Sequence, residues 1–186
     1  MSDPAPVDPV VAALVAELGK KTSVCWLTYV ATPDTPASTH AAWHEWLDTG
    51  DGGSLYVVAG GTEQPLPGLA RAGRVEVTMR SKDNGGRLVT WEATPSQVLP
   101  EDDAWVAVTA ALAAGRLNVP DLGAAAEGWA SGSVVTRLEP TGRTVERPDD
   151  LSAEHHRATP PDSPATTRGP LPRVLHRRVR RRPRLS

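Results

Sequence analysis

Hydrophobic and polar positions along the first 140 residues fall into short alternating runs set between stretches of helical spacing. Val10, Leu14 and Leu18 recur on one helical face after Asp8-Pro9, a capping residue and first-turn proline, so Pro9–Lys21 reads as a helix with Gly19 near its end. Thr22–Val30 (TSVCWLTYV) is rich in β-branched and aromatic residues and predicts a strand. The Pro/Asp/Thr cluster 32–36 is a turn. Ser38–Asp48 admits a helix or a strand; a strand is preferred because His40, Ala42, His44 and Trp46 alternate with Ala41, Trp43, Glu45 and Leu47. A turn over Asp48–Gly53 leads into a strand over Ser54–Ala59, and Pro65–Ala72 reads as a short helix.

Arg74–Ser81 and Arg87–Leu99 alternate with period two, and the Asn-Gly between them signals a hairpin. Three acids, Glu101–Asp103, open a second long helix, favourably placed against its dipole. Leu122–Ala130 reads as a further helix and Ser133–Leu138 as a last strand. Strands joined as hairpins imply an antiparallel sheet, and six strands in a chain this short tend to curl and close into a barrel. The fold class expected is mixed β/α, with residues 1–9 disordered, one domain over 10–140 and a disordered tail over 141–186.

Composition sharpens this picture at both ends of the chain. Six Trp and two Tyr but no Phe put the bulky packing on tryptophan. No apolar run approaches the roughly 18 residues of a membrane helix. The acidic, proline-containing N-terminus does not resemble a signal peptide, and Cys25 stands alone. Both point to the cytoplasm. The net charge of −2 conceals two opposite segments. Residues 1–154 carry 11 Lys and Arg against 21 Asp and Glu, a net −10, whereas residues 155–186 carry nine Arg and one Asp, a net +8. The acidic body offers no large basic surface for nucleic acid, which is expected only at the tail. The tail's abrupt change to Arg and Pro equally fits a reading-frame slip in a GC-rich gene.

Four stretches carry a resemblance: SVCWLTYV (23–30), THAAWHEWLD (39–48), SLYVVAGG (54–61) and LPGLARAGRVEVTMRSKDNGGRLVTWEATPSQV (66–98). In layout the chain resembles the pyridoxamine 5′-phosphate oxidase-like, FMN-binding split β-barrel family over roughly residues 10–140. The resemblance implies an antiparallel split barrel with flanking helices, a homodimer, and FMN held between the protomers. It implies an oxidoreductase acting on a small molecule that the sequence does not identify. The alternative is a non-catalytic dimeric module that binds flavin or deazaflavin, or none. Family members that bind FMN usually place Lys or Arg a few residues before the leucine aligned with Leu69; this chain has Gly60–Pro65, with Glu63.

Candidate cofactor-binding residues follow from donor chemistry. Arg80, Ser81, Lys82 and Arg87 surround one hairpin and can supply the charge and hydrogen bonds that a phosphate dianion requires, or form a solvated hairpin tip. Gly60, Gly61 and Thr62 follow a strand and either admit an anion to backbone N–H groups or simply turn the chain. His40 can donate to a flavin ring oxygen or shuttle a proton, and with His44 and Trp46 it shares one face of its strand, opposite Trp43. Trp26 and Trp91 are either stacking platforms or core. No catalytic residue and no metal site is assigned.

Overall fold

The computed structural model describes residues 8–48, 52–81, 85–116 and 122–150, which belong to one unit, Met1–Leu151. Helix α1 spans Pro9–Lys21, and the Asp8 carboxylate accepts from the Val10 N–H at 3.0 Å, satisfying a first-turn donor. Lys20 and Lys21 occupy the last turn, where positive charge opposes the helix dipole. The strands are β1 (Val24–Tyr29), β2 (Ser38–Trp43), β3 (Glu45–Asp48), β4 (Gly53–Ala59), β5 (Val75–Arg80), β6 (Arg87–Val98) and β7 (Val134–Glu146). Helices α2 (Trp105–Ala114) and α3 (Leu122–Gly132) precede β7.

All strands pair antiparallel, in the order β2-β1-β5-β6-β7-β4-β3. The first and last strands of that order are consecutive in the chain, separated by His44 alone. The sheet therefore closes on itself through a bend in one segment, which is the antiparallel split barrel expected. The His44 N–H donates to Ser23 O at 3.1 Å as the strand changes partners. Gln64 bridges the split. Its side-chain oxygen accepts from Trp43 N–H at 2.9 Å, and its Nε2 donates to Trp43 O at 2.9 Å and Val58 O at 3.2 Å.

Alternation explains two cores. Cys25, Leu27 and Tyr29 on β1, Val75, Val77 and Met79 on β5, and Val89 and Trp91 on β6 fill the barrel beneath α1. Strand β4 is buried on both faces, hence its unbroken apolar run. Leu55 and Val57 enter the barrel, while Tyr56 and Val58 meet Trp105, Val108, Leu112 and Trp129 of α2 and α3. Trp46 lies flat against the backbone at Gly19 and Gly53, where an added Cβ would come within 2.4 Å and 2.2 Å of the indole.

Four expectations require correction. The segment 38–48 is two strands rather than one, because its halves pair with opposite edges of the sheet. The helix expected over Pro65–Ala72 is a single 3-10 turn, Leu69–Arg71. Helix α2 starts at Trp105, not at the acids; Asp102 instead accepts from Leu99 N–H at 2.7 Å and closes a turn. The last strand continues past Leu138 and past the residue-140 boundary, to Glu146, because β6 supplies it a partner as far as Thr90. The expectations for residues 1–7 and 151–186 fall outside the described residues. Among the described residues no helix is long and apolar enough to cross a membrane.

Candidate functional site

Period-two alternation sends one set of side chains into the barrel and the other to its outer face. On β1, Trp26 and Thr28 alternate with the buried Cys25, Leu27 and Tyr29; on β5, Glu76, Thr78 and Arg80 alternate with Val75, Val77 and Met79. The register sets Trp26 opposite Thr78, and Thr78 opposite Thr90. These residues line an outward groove of about 320 Å³, bordered by Thr39, Arg87 and Glu146.

Hydroxyl pairs and one carboxylate organise its floor. Thr28 and Thr39 hydroxyls lie 2.8 Å apart, and those of Thr78 and Thr90 2.9 Å apart. Thr90 also donates to one Glu146 oxygen at 2.8 Å, and Arg87 Nη1 donates to the other at 2.7 Å. The Arg80 guanidinium stacks over Trp26, with Cζ 4.4 Å from the ring centroid. Arg80 Nε is buried with no hydrogen-bond partner among the described residues.

The hairpin therefore brings Arg80, Ser81 and Arg87 together but gives them different tasks. Ser81 closes the turn, its N–H donating to Gly86 O at 2.8 Å and its carbonyl accepting from Gly85 N–H at 3.0 Å. Arg87 is committed to Glu146, a partner that alternation could not reveal because it lies 59 positions away in sequence. Arg80 keeps a buried donor. Lys82 lies outside the described residues.

His40 is not on this face. It pairs with Leu27 in register, stands 5.3 Å from the Tyr29 ring, and its Nε2 is 2.9 Å from Ser38 Oγ. Gly60–Thr62 is elsewhere again. Ala59 pairs with Val134 at the start of β7, whereas the hairpin lies beyond its end at Glu146, up to about 40 Å away along the strand at the usual rise. Gly60 and Gly61 have φ of 86° and 62°, and a Cβ on Gly61 would sit 2.9 Å from Gly132 O. Glycine here lets the turn close against the α3–β7 junction.

Glu63, the acid in that turn, has a structural partner set. Its Oε1 accepts from Trp129 Nε1 at 2.9 Å and from Arg116 Nη1, and its side chain is only 3% exposed. Other titratable groups are equally internal. Burial lowers the His44 pKa to about 4, so the imidazole is neutral near pH 7, with Nε2 3.3 Å from Gly19 O. Burial pushes the Cys25 thiol far above its ordinary range and raises Tyr29.

Glu76, Thr78, Thr90 and Glu146 were not singled out from sequence. Their polarity at outward positions of strands was visible. Which strands stand side by side was not.

No family model matches the chain, and no curated protein does. Among solved structures it is similar to the heme storage protein HutZ from Vibrio cholerae, at 15% identity and a TM-score of 0.50, over 73% of this chain and 91% of that one. It is also similar to a FAD-binding protein from Mesorhizobium loti, at 14% identity and a TM-score of 0.47, over 70% and 87% of the two chains. A third is a pyridoxamine 5′-phosphate oxidase-related, FMN-binding protein from Nostoc punctiforme, at 12% identity and 0.45, over 75% and 83%. At these identities the likeness is one of fold, the split β-barrel.

Proposed function

We propose that this chain is a flavin-binding split-barrel protein that takes FMN in the outer groove, as a homodimer, and acts as an oxidoreductase on a small molecule. The observation that carries this reading is Arg80: a cation held over Trp26, its buried Nε without a partner among the described residues, in an otherwise acidic body. A phosphate oxygen in the groove would meet the guanidinium of Arg80, which lines it, with a charge-assisted bond. One hydroxyl of the Thr28–Thr39 pair keeps its proton for a further acceptor, and the Trp26 ring borders the same groove. FMN would supply the electron or hydride transfer, and the protein the orientation. The groove lies open on the outer face of the sheet, so a second protomer laid over it would exclude water from a bound flavin.

One observation favours the alternative of a non-catalytic or cofactor-free module. Glu146 already occupies Arg87, and Glu76 lines the same groove, so two carboxylates oppose an incoming dianion.

Titration of FMN and riboflavin into the wild type and Arg80→Ala tests the choice. The wild type is expected to prefer FMN, and Arg80→Ala to lose about tenfold or more in FMN affinity, one charged hydrogen bond, with riboflavin affinity unchanged. Equal FMN affinity of the two proteins, or no preference for FMN, overturns the phosphate site. Binding of neither ligand supports the cofactor-free module. Sedimentation of the wild type as a monomer at micromolar concentration would overturn the dimer.

A further inference from the structure

Glu146, at the end of β7, stands where a ligand's anion would stand. One of its oxygens accepts from Arg87 Nη1 at 2.7 Å and the other from the Thr90 hydroxyl at 2.8 Å, so a single carboxylate spans two donors. All three residues line the outer groove. Thr90 gives its only hydroxyl proton to Glu146, so within the Thr78–Thr90 pair Thr78 is the donor and neither hydroxyl is left for a ligand. Thr90 opens to an incoming anion only when Glu146 leaves.

Charge at this end of the groove is unbalanced. Arg80 and Arg87 face each other in register across β5 and β6, where like charges repel. Glu146 pairs with Arg87, while Arg80 has no ion pair among the described residues. The other carboxylate lining the groove, Glu76, lies four residues from Arg80, about 13 Å along β5 at the usual rise. Two guanidiniums are thus set against one nearby carboxylate. A phosphate dianion between them brings a second negative charge and a third oxygen, enough to meet Arg80, Arg87 and Thr90 together.

The segment that carries Glu146 is loosely joined to the sheet. The pairing of β7 with β6 shifts register between Thr90 and Trp91 and again between Trp91 and Ala93, so Glu146 lies beyond both irregularities. Pro140 has no N–H to donate, and Gly142 turns the chain at a φ of 83°. From Glu139 to Glu146 no side chain is fully buried, whereas Val135, Thr136 and Leu138 before them are. The remaining anchors are Arg143 on Glu92 and Arg147 on Asp8, both from exposed arginines, and such pairs hold weakly.

We infer that Glu146 is a latch on the outer groove: its carboxylate holds the anion position, and a phosphate dianion binds by displacing it and freeing the end of β7 from β6. This rests on the reading of the groove as a phosphate site and adds how that site is controlled.

Calorimetric titration of the full chain with FMN, and separately with inorganic phosphate at a pH where it is a dianion, tests the latch. Glu146→Gln keeps the length of the side chain but not its charge. It should bind both ligands about tenfold or more tightly than the wild type, the removal of one charge-assisted competitor, with circular dichroism unchanged. Riboflavin, which has no phosphate, should gain nothing. A second readout needs no variant: saturating the wild type with phosphate should speed amide hydrogen exchange over residues 143–147 and leave β1 as it was. Equal FMN affinity of the wild type and Glu146→Gln overturns the latch and leaves the flavin reading standing. Tighter phosphate binding by Glu146→Gln, with FMN bound by neither protein, keeps the latch and overturns the flavin reading. Failure of Glu146→Gln to bind phosphate, or unchanged exchange over residues 143–147 in the phosphate-saturated wild type, overturns the inference.

Discussion

His44 occupies the one position between β2 and β3, buried to 1% exposure, with Nε2–H directed at Gly19 O and Nδ1 without a partner among the described residues. Its burial has a consequence for stability against pH. The folded-state pKa of about 4 lies below the ordinary 6.5, so the unfolded chain takes up this proton first as pH falls. The stability that depends on a neutral His44 is complete above about pH 6.5 and is lost progressively toward pH 4. The loss reaches about 3 kcal/mol at the low end, at 1.36 kcal/mol for each unit of difference. Denaturant melts at several pH values check this. His44→Gln should be less stable than the wild type at pH 7 and should lack the wild type's steepening between pH 6.5 and 4. Parallel pH profiles for the two proteins would place the acid sensitivity elsewhere.

Between elements, the split of the barrel depends on one side chain. Gln64 accepts from and donates to the backbone of Trp43 while also reaching Val58 O, so its amide completes the ladder where β2 and β4 do not pair. Removing both functions leaves a part-buried N–H and C=O unmet. Gln64→Leu should therefore cost about 2–4 kcal/mol, two unpaired groups at one to two each. Gln64→Glu, which keeps the acceptor, should cost less at pH values where the carboxyl is protonated and can still donate. Urea midpoints of the two variants decide this, and a Gln64→Leu protein as stable as the wild type would assign closure of the barrel to packing alone.

At the scale of the whole molecule, the end of β7 ties distant parts together. Glu146 binds Arg87 and Thr90, and Arg147 binds Asp8 at the start of α1. A chain ending at Gly142 loses these contacts, and one ending at Asp150 keeps them. The shorter chain should melt several degrees below the longer, because removal of Glu146 strips Arg87 and Thr90 of a shared acceptor. The chain ending at Asp150 should melt with the full-length protein. Calorimetry of the three forms checks both statements, and a drop in melting temperature on removing residues 151–186 alone would give the tail a role in stability.

Local periodicity was enough to determine most elements. The spacing of Val10, Leu14 and Leu18 after Asp8-Pro9 specified α1, and the alternation in Val75–Arg80 specified a strand whose outward positions include Arg80. Parity also carried through the break at His44, so that Ala42 and Trp46 reach the barrel core together while Trp43 and Leu47 serve the second. These properties depend on neighbours within one turn or one strand, which a sequence displays directly. Tertiary structure decided what depends on register between distant strands. The Asp102 turn that delays α2 is local, but the pairing that extends β7 to Glu146 is not. Nor is the capture of Arg87 by Glu146, or the burial of Glu63 against Arg116 and Trp129. A charge shows in a sequence, but whether it is spent on an internal partner is settled only when the strands are laid side by side. That is why one arginine of the hairpin, Arg80, keeps a buried donor with no partner among the described residues while Arg87 beside it is held by Glu146.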